Sequence, residues 1–144
     1  MLVPPHGKSE LKPLLVAEAD RASQLELAGT LQSIPMTSRE LSDLLMLGMG
    51  AYTPLDGCMG EESWSNCCTD FTTDDGLFWP IPITLSTSED TASGIAIGQT
   101  VALTDGDGVI YGTLKVTEKY KIDKELECQE IYRTLDPKHP GVEK

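Results

Sequence analysis

GMGAYTPLDGCMGEESWSNCCTDFTTDDGLFWPIPITL, residues Gly48 to Leu85, carries more structural instruction than any other segment of this 144-residue chain. Its glycines and prolines fall in three short runs: GAYTPLDG (Gly50–Gly57), CMGEE (Cys58–Glu62) and DDGLFWPIPI (Asp74–Ile83). Proline fixes φ and removes a donor, and glycine admits a positive φ, so the chain must bend at these places. Between the bends, Trp64, Cys67, Cys68 and Phe71 recur at i, i+3, i+4 and i+7, which predicts a helix over Glu61–Asp70 with one apolar stripe. Glu61 and Glu62 stand at its start, where the helix dipole favours negative charge. Asp74-Asp75-Gly76 predicts a turn. In FWPIPITL a proline at every second position forbids a helix and predicts an extended edge strand.

Upstream, EADRASQLELA (Glu18–Ala28) reads as a short helix with Ala22, Leu25 and Ala28 on one face and Gly29 as its stop. Thr37-Ser-Arg-Glu40 is a capping box, flanked by Met36 and Leu41 as a hydrophobic staple. The helix that follows is expected to bury Leu41, Leu44 and Leu45 and to end at Gly48. Downstream come a helical turn at Ser88–Ser93, a strand TVALT (Thr100–Thr104), a hairpin loop Asp105-Gly106-Asp107-Gly108 and a long return strand VIYGTLKVTEKYKI. On that return strand Leu114, Val116, Tyr120 and Ile122 are expected to face one way, and Lys115, Lys119 and Lys121 the other. Asp123 caps a last helix from Lys124 to about Tyr132, and LDPKHPG is irregular. Short helices with a hairpin-rich strand region define an α+β class.

Charge narrows the function. The net charge is −12: four Lys/Arg stand against ten Asp/Glu in residues 1–70 and seven against thirteen in 71–144, so each half carries −6. Nucleic-acid binding draws much of its affinity from cationic contacts to phosphates, and this chain has no basic region to supply them. A membrane surface is disfavoured for the same reason, and no apolar run approaches the roughly 18 residues of a spanning helix. Acids and prolines in MLVPPHGKSELKPLLVAEAD do not fit a signal peptide, so a cytoplasmic location is expected. Cys58, Cys67, Cys68 and Cys128 show no C-x-x-C pair, and the vicinal pair lies on the apolar stripe, so all four are expected to be reduced packing thiols.

The remaining candidate sites weigh mostly toward structure. Asp105–Gly108 superficially suggests a calcium loop, but Val109 and Ile110 occupy the continuation where an EF-hand needs ligands, so a hairpin is expected. His6 and His139 lie among prolines with no third ligand to complete a metal site. The stripe Lys115, Lys119 and Lys121 is the one basic feature. It reads as the wet face of a strand, with a contact to an acidic partner surface as its functional alternative. No Gly-rich loop enters a helix with a cationic clamp, and no nucleophile–base grouping stands in recognisable context.

The Gly48–Leu85 run resembles the central signature of the N-terminal domain of ATP sulfurylases (sulfate adenylyltransferases), G-A-[FY]-[ST]-P-L-x-G-F-M-G, departing from it at Cys58. LVPPHG (Leu2–Gly7) and DKELECQEIYRTLDPKHPGV (Asp123–Val142) agree with it in the same order, so the resemblance covers essentially the whole chain. It implies a PUA-like, partly closed β-barrel with short packed helices. It also implies a parent nucleotidyltransferase of sulfur metabolism and sulfate assimilation, or its dissimilatory counterpart, that makes adenosine 5′-phosphosulfate and pyrophosphate from ATP and sulfate. Family catalysis belongs to Gln-x-Arg-Asn and His-x-x-His motifs in a following domain, and neither occurs here. Catalytic, cofactor-binding and metal residues are therefore expected to be none in this chain, ATP and Mg being implied only for the full-length family enzyme. Residues 1–144 are expected to form one truncated N-terminal domain, its catalytic domain absent and its final strand missing beyond HPGVEK. The partner implied is that catalytic domain or another protomer, with Lys115, Lys119 and Lys121 as the candidate interface. A free-standing PUA-like protein-interaction module is the alternative, and an RNA-binding PUA-like domain the weaker one.

Overall fold

The computed structural model describes residues 3–8 and 10–143; Leu2 of LVPPHG and Lys144 of HPGVEK lie outside them. The chain gathers into two compact units, Met1–Cys58 with Leu85–Thr117 and Met59–Thr84 with Glu118–Lys144.

The first unit is built on a three-stranded sheet of order β1-β2-β3: β1 (Ser33–Pro35), β2 (Thr100–Thr104) and β3 (Ile110–Lys115). β1 runs parallel to β2 with Ser33 opposite Ala102, and β3 returns antiparallel with Val101 opposite Leu114. TVALT takes the centre because it is apolar on both faces: Val101, Ala102 and Leu103 are all buried. The sheet is open among the described residues, and with its short helices it bears out the α+β class. Val101, Leu103, Ile34, Met36, Ile95 and Val116 form its core, with Leu41 and Leu44 packed against them.

Helix α1 (Arg21–Ala28) follows a 3₁₀ turn at Glu18–Asp20, as the sequence predicts, yet Ala28 alone of its residues is buried. Helix α2 (Ser38–Gly48) starts on the predicted capping box: Thr37 Oγ1 accepts from the Glu40 amide at 3.3 Å, and Glu40 Oε2 accepts from the Thr37 amide at 2.8 Å. Leu47 is the buried leucine at its far end, whereas Leu45, expected inside, is half exposed. Its position places it on the outward side of the helix, one residue beyond Leu44 on the core side.

The second unit holds α3 (Glu61–Asp70), which occupies the predicted residues and buries Trp64, Cys67 and Cys68. Short helix α4 (Glu89–Ser93), capped by Ser88, belongs to the first unit, and α5 (Lys124–Glu127), capped by Asp123, to the second. A π-helical turn continues α5 through Cys128–Tyr132.

Two strand expectations are corrected. FWPIPITL forms no regular strand; a single bridge joins Thr72 to Phe78, and isolated bonds run from the Met59 amide to Ile83 O and from the Trp79 amide to Phe71 O. Pro80 and Pro82 remove the donors with which a ladder would continue. The return strand ends at Lys115 rather than running to Ile122. Val116 still exchanges bonds with Gly98 and Gln99, after which Glu118 and Tyr120 turn to other partners.

Among the described residues of the first unit, Glu40 is the buried charge, 3% exposed. Its carboxylate accepts four hydrogen bonds: from the Thr37 amide and hydroxyl at 2.8 and 2.7 Å, and from the Ser86 amide and hydroxyl at 2.7 and 2.8 Å. Burial by itself would raise its pKa, but these bonds outweigh it and hold the carboxyl below the ordinary glutamate value. A group that binds its proton less readily folded than unfolded stabilises the fold above its ordinary range and loses that contribution as pH falls through the lowered value. Glu40→Ala is expected to cost about 2–4 kcal/mol in urea unfolding at neutral pH. Glu40→Gln should also flatten the acid side of the stability–pH profile. An unchanged midpoint and profile would contradict this role.

Candidate functional site

The GAYTPLDG run builds a clamp on the first unit. Gly50 sits at φ +80°, and a Cβ there would lie 3.0 Å from Pro13 N, so the extended residues 12–14 approach as closely as only glycine permits. Thr53, buried, donates its hydroxyl to Gly50 O at 2.6 Å and accepts from the Lys12 amide at 2.9 Å. The Leu14 amide donates to Gly48 O at 3.0 Å, and Lys12 Nζ lies 3.1 Å from Asp56. Tyr52 donates to Asp43 at 2.9 Å; burial, then that carboxylate, pushes its phenol up to about 12. The Lys12 and Leu14 bonds tie residues 12–14 to the GAYTPLDG loop and the end of α2, and the Tyr52 bond ties that loop to α2 itself. Gly50→Ala should lower stability by about 1–3 kcal/mol, since it adds both a strained φ and a backbone collision; a neutral effect in thermal unfolding would count against the clamp.

In the second unit the sequence offered no cap for α3, whose N-cap Gly60 has no side chain. Glu118 supplies it from 57 residues away, accepting from the Glu61 amide at 3.1 Å. A Cβ on Gly60 would run into Glu118 Oε2. Trp64 Nε1 donates to Glu127 at 2.7 Å and its ring lies 6.1 Å from that of Tyr120, whose hydroxyl donates to Met59 O. The only signal for these pairings in the sequence was the acidic and aromatic content of EKYKIDKELE, which does not specify a partner.

The candidate residues are dispersed. Lys115 is exposed on β3 of the first unit, while Lys119 and Lys121 are exposed in the non-strand segment of the second, so they do not form one strand face. Asp105 closes the predicted hairpin: its carboxylate accepts from the Asp107 and Val109 amides at 2.9 Å and from Tyr111, and those bonds lower its pKa. His139 stacks on Tyr132 with ring centroids 4.9 Å apart and accepts from the Gly141 amide; His6 belongs to the other unit. Among the described residues no group of three or more His, Cys, Asp or Glu is gathered to hold a metal ion.

The four cysteines are free thiols, with Cys67 and Cys68 fully buried. Burial first, then nearby Glu127, pushes Cys67 up to about 11 and Cys68 to about 12; burial with Asp43 and Glu40 raises Cys58 to about 11. Thiolate is the reactive form, so these sulfurs are packing atoms. Iodoacetamide at pH 8 should leave Cys67 and Cys68 unmodified until the chain unfolds; mass-spectrometric labelling of either in the native protein would contradict this.

The profile of the family described as a PUA-like domain matches residues 3–144, and the chain belongs to that family. It is homologous to the N-terminal part of sulfate adenylyltransferase. The enzyme of that name from Syntrophobacter fumaroxidans is 56% identical over 146 residues, covering 99% of this chain and 36% of its own length. That from Chlorobaculum tepidum is 51% identical over 143 residues, covering 98% and 35%. The chain thus spans about a third of the length of these curated relatives. A solved structure, the hexameric APS kinase from Thiobacillus denitrificans, superposes with a TM-score of 0.74 at 30% identity over 85% of this chain and 24% of that one. Among the described residues no helix is long and apolar enough to cross a membrane.

Proposed function

We propose that this chain serves as the non-catalytic N-terminal PUA-like domain of a sulfate adenylyltransferase, supporting and orienting a catalytic domain and contributing to subunit contacts. On this reading residues 1–144 act as one domain, in the cytoplasm, within sulfate assimilation or its dissimilatory counterpart. The observation that carries it is the match of essentially the whole chain to about a third of each relative. The chain's own chemistry is consistent with that role: the carboxylate of Glu40 and the hydroxyls of Thr53 and Tyr52 are bonded within the first unit, and the thiol of Cys68 is buried within the second. Joining sulfate to the α-phosphorus of ATP requires cationic groups positioned around the developing charge. Lys115 on the first unit and Lys119 and Lys121 on the second remain exposed cations for contact with the catalytic domain or another protomer, without forming one strand face.

Purified chain incubated with ATP, magnesium and molybdate, a sulfate mimic that gives an unstable product, is expected to release pyrophosphate at the background rate. Turnover well above background would overturn the non-catalytic assignment.

A further inference from the structure

Residues 11–17 of the first unit belong to neither helix nor strand, and every residue from 10 to 17 is exposed. The residues they rest on are not: Thr53 and Leu47 are each 4% exposed, and Gly50 is buried. The segment is therefore held by a few directed contacts and not by a core of its own. The Lys12 amide donates to Thr53 Oγ1 at 2.9 Å, and Lys12 Nζ reaches Asp56 at 3.1 Å. The Leu14 amide donates to Gly48 O at 3.0 Å, one of the carbonyls that a helix end leaves without a helical partner. Between them Pro13 has no amide to satisfy, and it lies against Gly50, where a Cβ would be 3.0 Å from its nitrogen. These are the marks of an extended peptide read by its main chain: amides bound at alternate residues, a cation on the first, and a proline between.

Release of this segment costs little. Lys12 and Asp56 form a surface ion pair, a kind that contributes little to stability. Segments with few buried contacts and exposed backbone bonds open at free energies well below that of global unfolding. Helix α1, which follows, adds a weak anchor, since Ala28 alone of its residues is buried.

We propose that residues 10–15 are a displaceable strap, an internal ligand that opens while the sheet stays folded, and that the seat formed by Gly48, Gly50, Thr53 and Asp56 takes an extended Lys-Pro-Leu peptide in trans. The segment already seated there chooses the occupant. Asp56 selects the cation, Thr53 Oγ1 and Gly48 O accept the amides of the first and third residues, and Gly50 leaves room for the proline. A central proline also pre-orders the peptide, so less freedom is lost on docking. While the strap is seated, the apparent affinity for an outside peptide is reduced to the fraction of chains that are open.

The probe is acetyl-ELKPLLVA-amide, the sequence of residues 10–17, added to the isotope-labelled 144-residue chain and followed by NMR. In the unaltered chain the Lys12 and Leu14 amides should exchange about a hundredfold faster than the Ala102 amide of β2, with no dependence on urea below the unfolding transition. Exchange of all three at one rate overturns the strap. The double variant Lys12→Glu, Leu14→Pro removes the cation and the second donor and should keep Ala102 protected; loss of that protection would make the segment part of the unit's core and overturn the proposal. In this variant the peptide should shift the Gly50 and Thr53 amide resonances saturably, at a lower concentration than in the unaltered chain. A peptide N-methylated at the leucine after proline should bind about tenfold more weakly. Unmoved Gly50 and Thr53 resonances, or equal binding of the methylated peptide, overturn the seat. An unaltered chain that sediments as a dimer, and loses that dimer on Leu14→Pro, assigns the seat to the strap of a second copy and overturns the proposed peptide occupant.

Discussion

A carboxylate taken out of water must find other donors, and Glu40 finds all of its own in two residues 49 positions apart, Thr37 and Ser86. Among the described residues no lysine or arginine pairs with it. The consequence is a constraint on the order of the fold: the start of α2 and the segment leading into α4 have to be adjacent before the charge is compensated. An unmatched buried carboxylate costs several kcal/mol, so arrangements that separate Thr37 from Ser86 are penalised more strongly than loss of a neutral contact would be. β1, which precedes the capping box, and β2, which follows α4, are held in parallel register on either side of this anchor.

The second unit repeats the logic with a different geometry. Glu118 satisfies the exposed amide at the start of α3, and Glu127 receives the indole hydrogen of Trp64. Acidic side chains thus serve as acceptors for donors that their own local sequence leaves unpaired. That accounts for part of the surplus of acids in a chain whose charge would otherwise speak only of solubility. It also bears on function: a module whose well-placed polar groups are bound to its own backbone is suited to holding a surface in a fixed shape.

How much of this was legible beforehand follows the range of the interactions. Local chemistry read out well. The capping box at Thr37–Glu40, the apolar stripe of α3, the Asp105 hairpin and the Asp123 cap are each specified by residues within four positions of one another. Misreadings came where a distant partner decided the outcome. Alternation through VIYGTLKVTEKYKI argued for one long strand, but Glu118 and Tyr120 are drawn off to α3 and Met59, so the lysines never line one face. Leu45 looked like core by type, and only the placement of residues 11–16 and Leu47 shows that it faces outward. The family signature was readable because its glycines mark close approaches, as Gly50 does against Pro13.

The central claim is that Glu40 holds the first unit together as an ionised, buried group. Carbon-detected NMR of the Glu40 carboxyl during an acid titration tests it at the atom concerned. The account predicts that Glu40 stays charged below the range in which ordinary glutamates titrate, and that its protonation coincides with loss of exchange protection at the Ser86 amide. A Glu40 that titrates with the exposed glutamates while the Ser86 amide remains protected would contradict it.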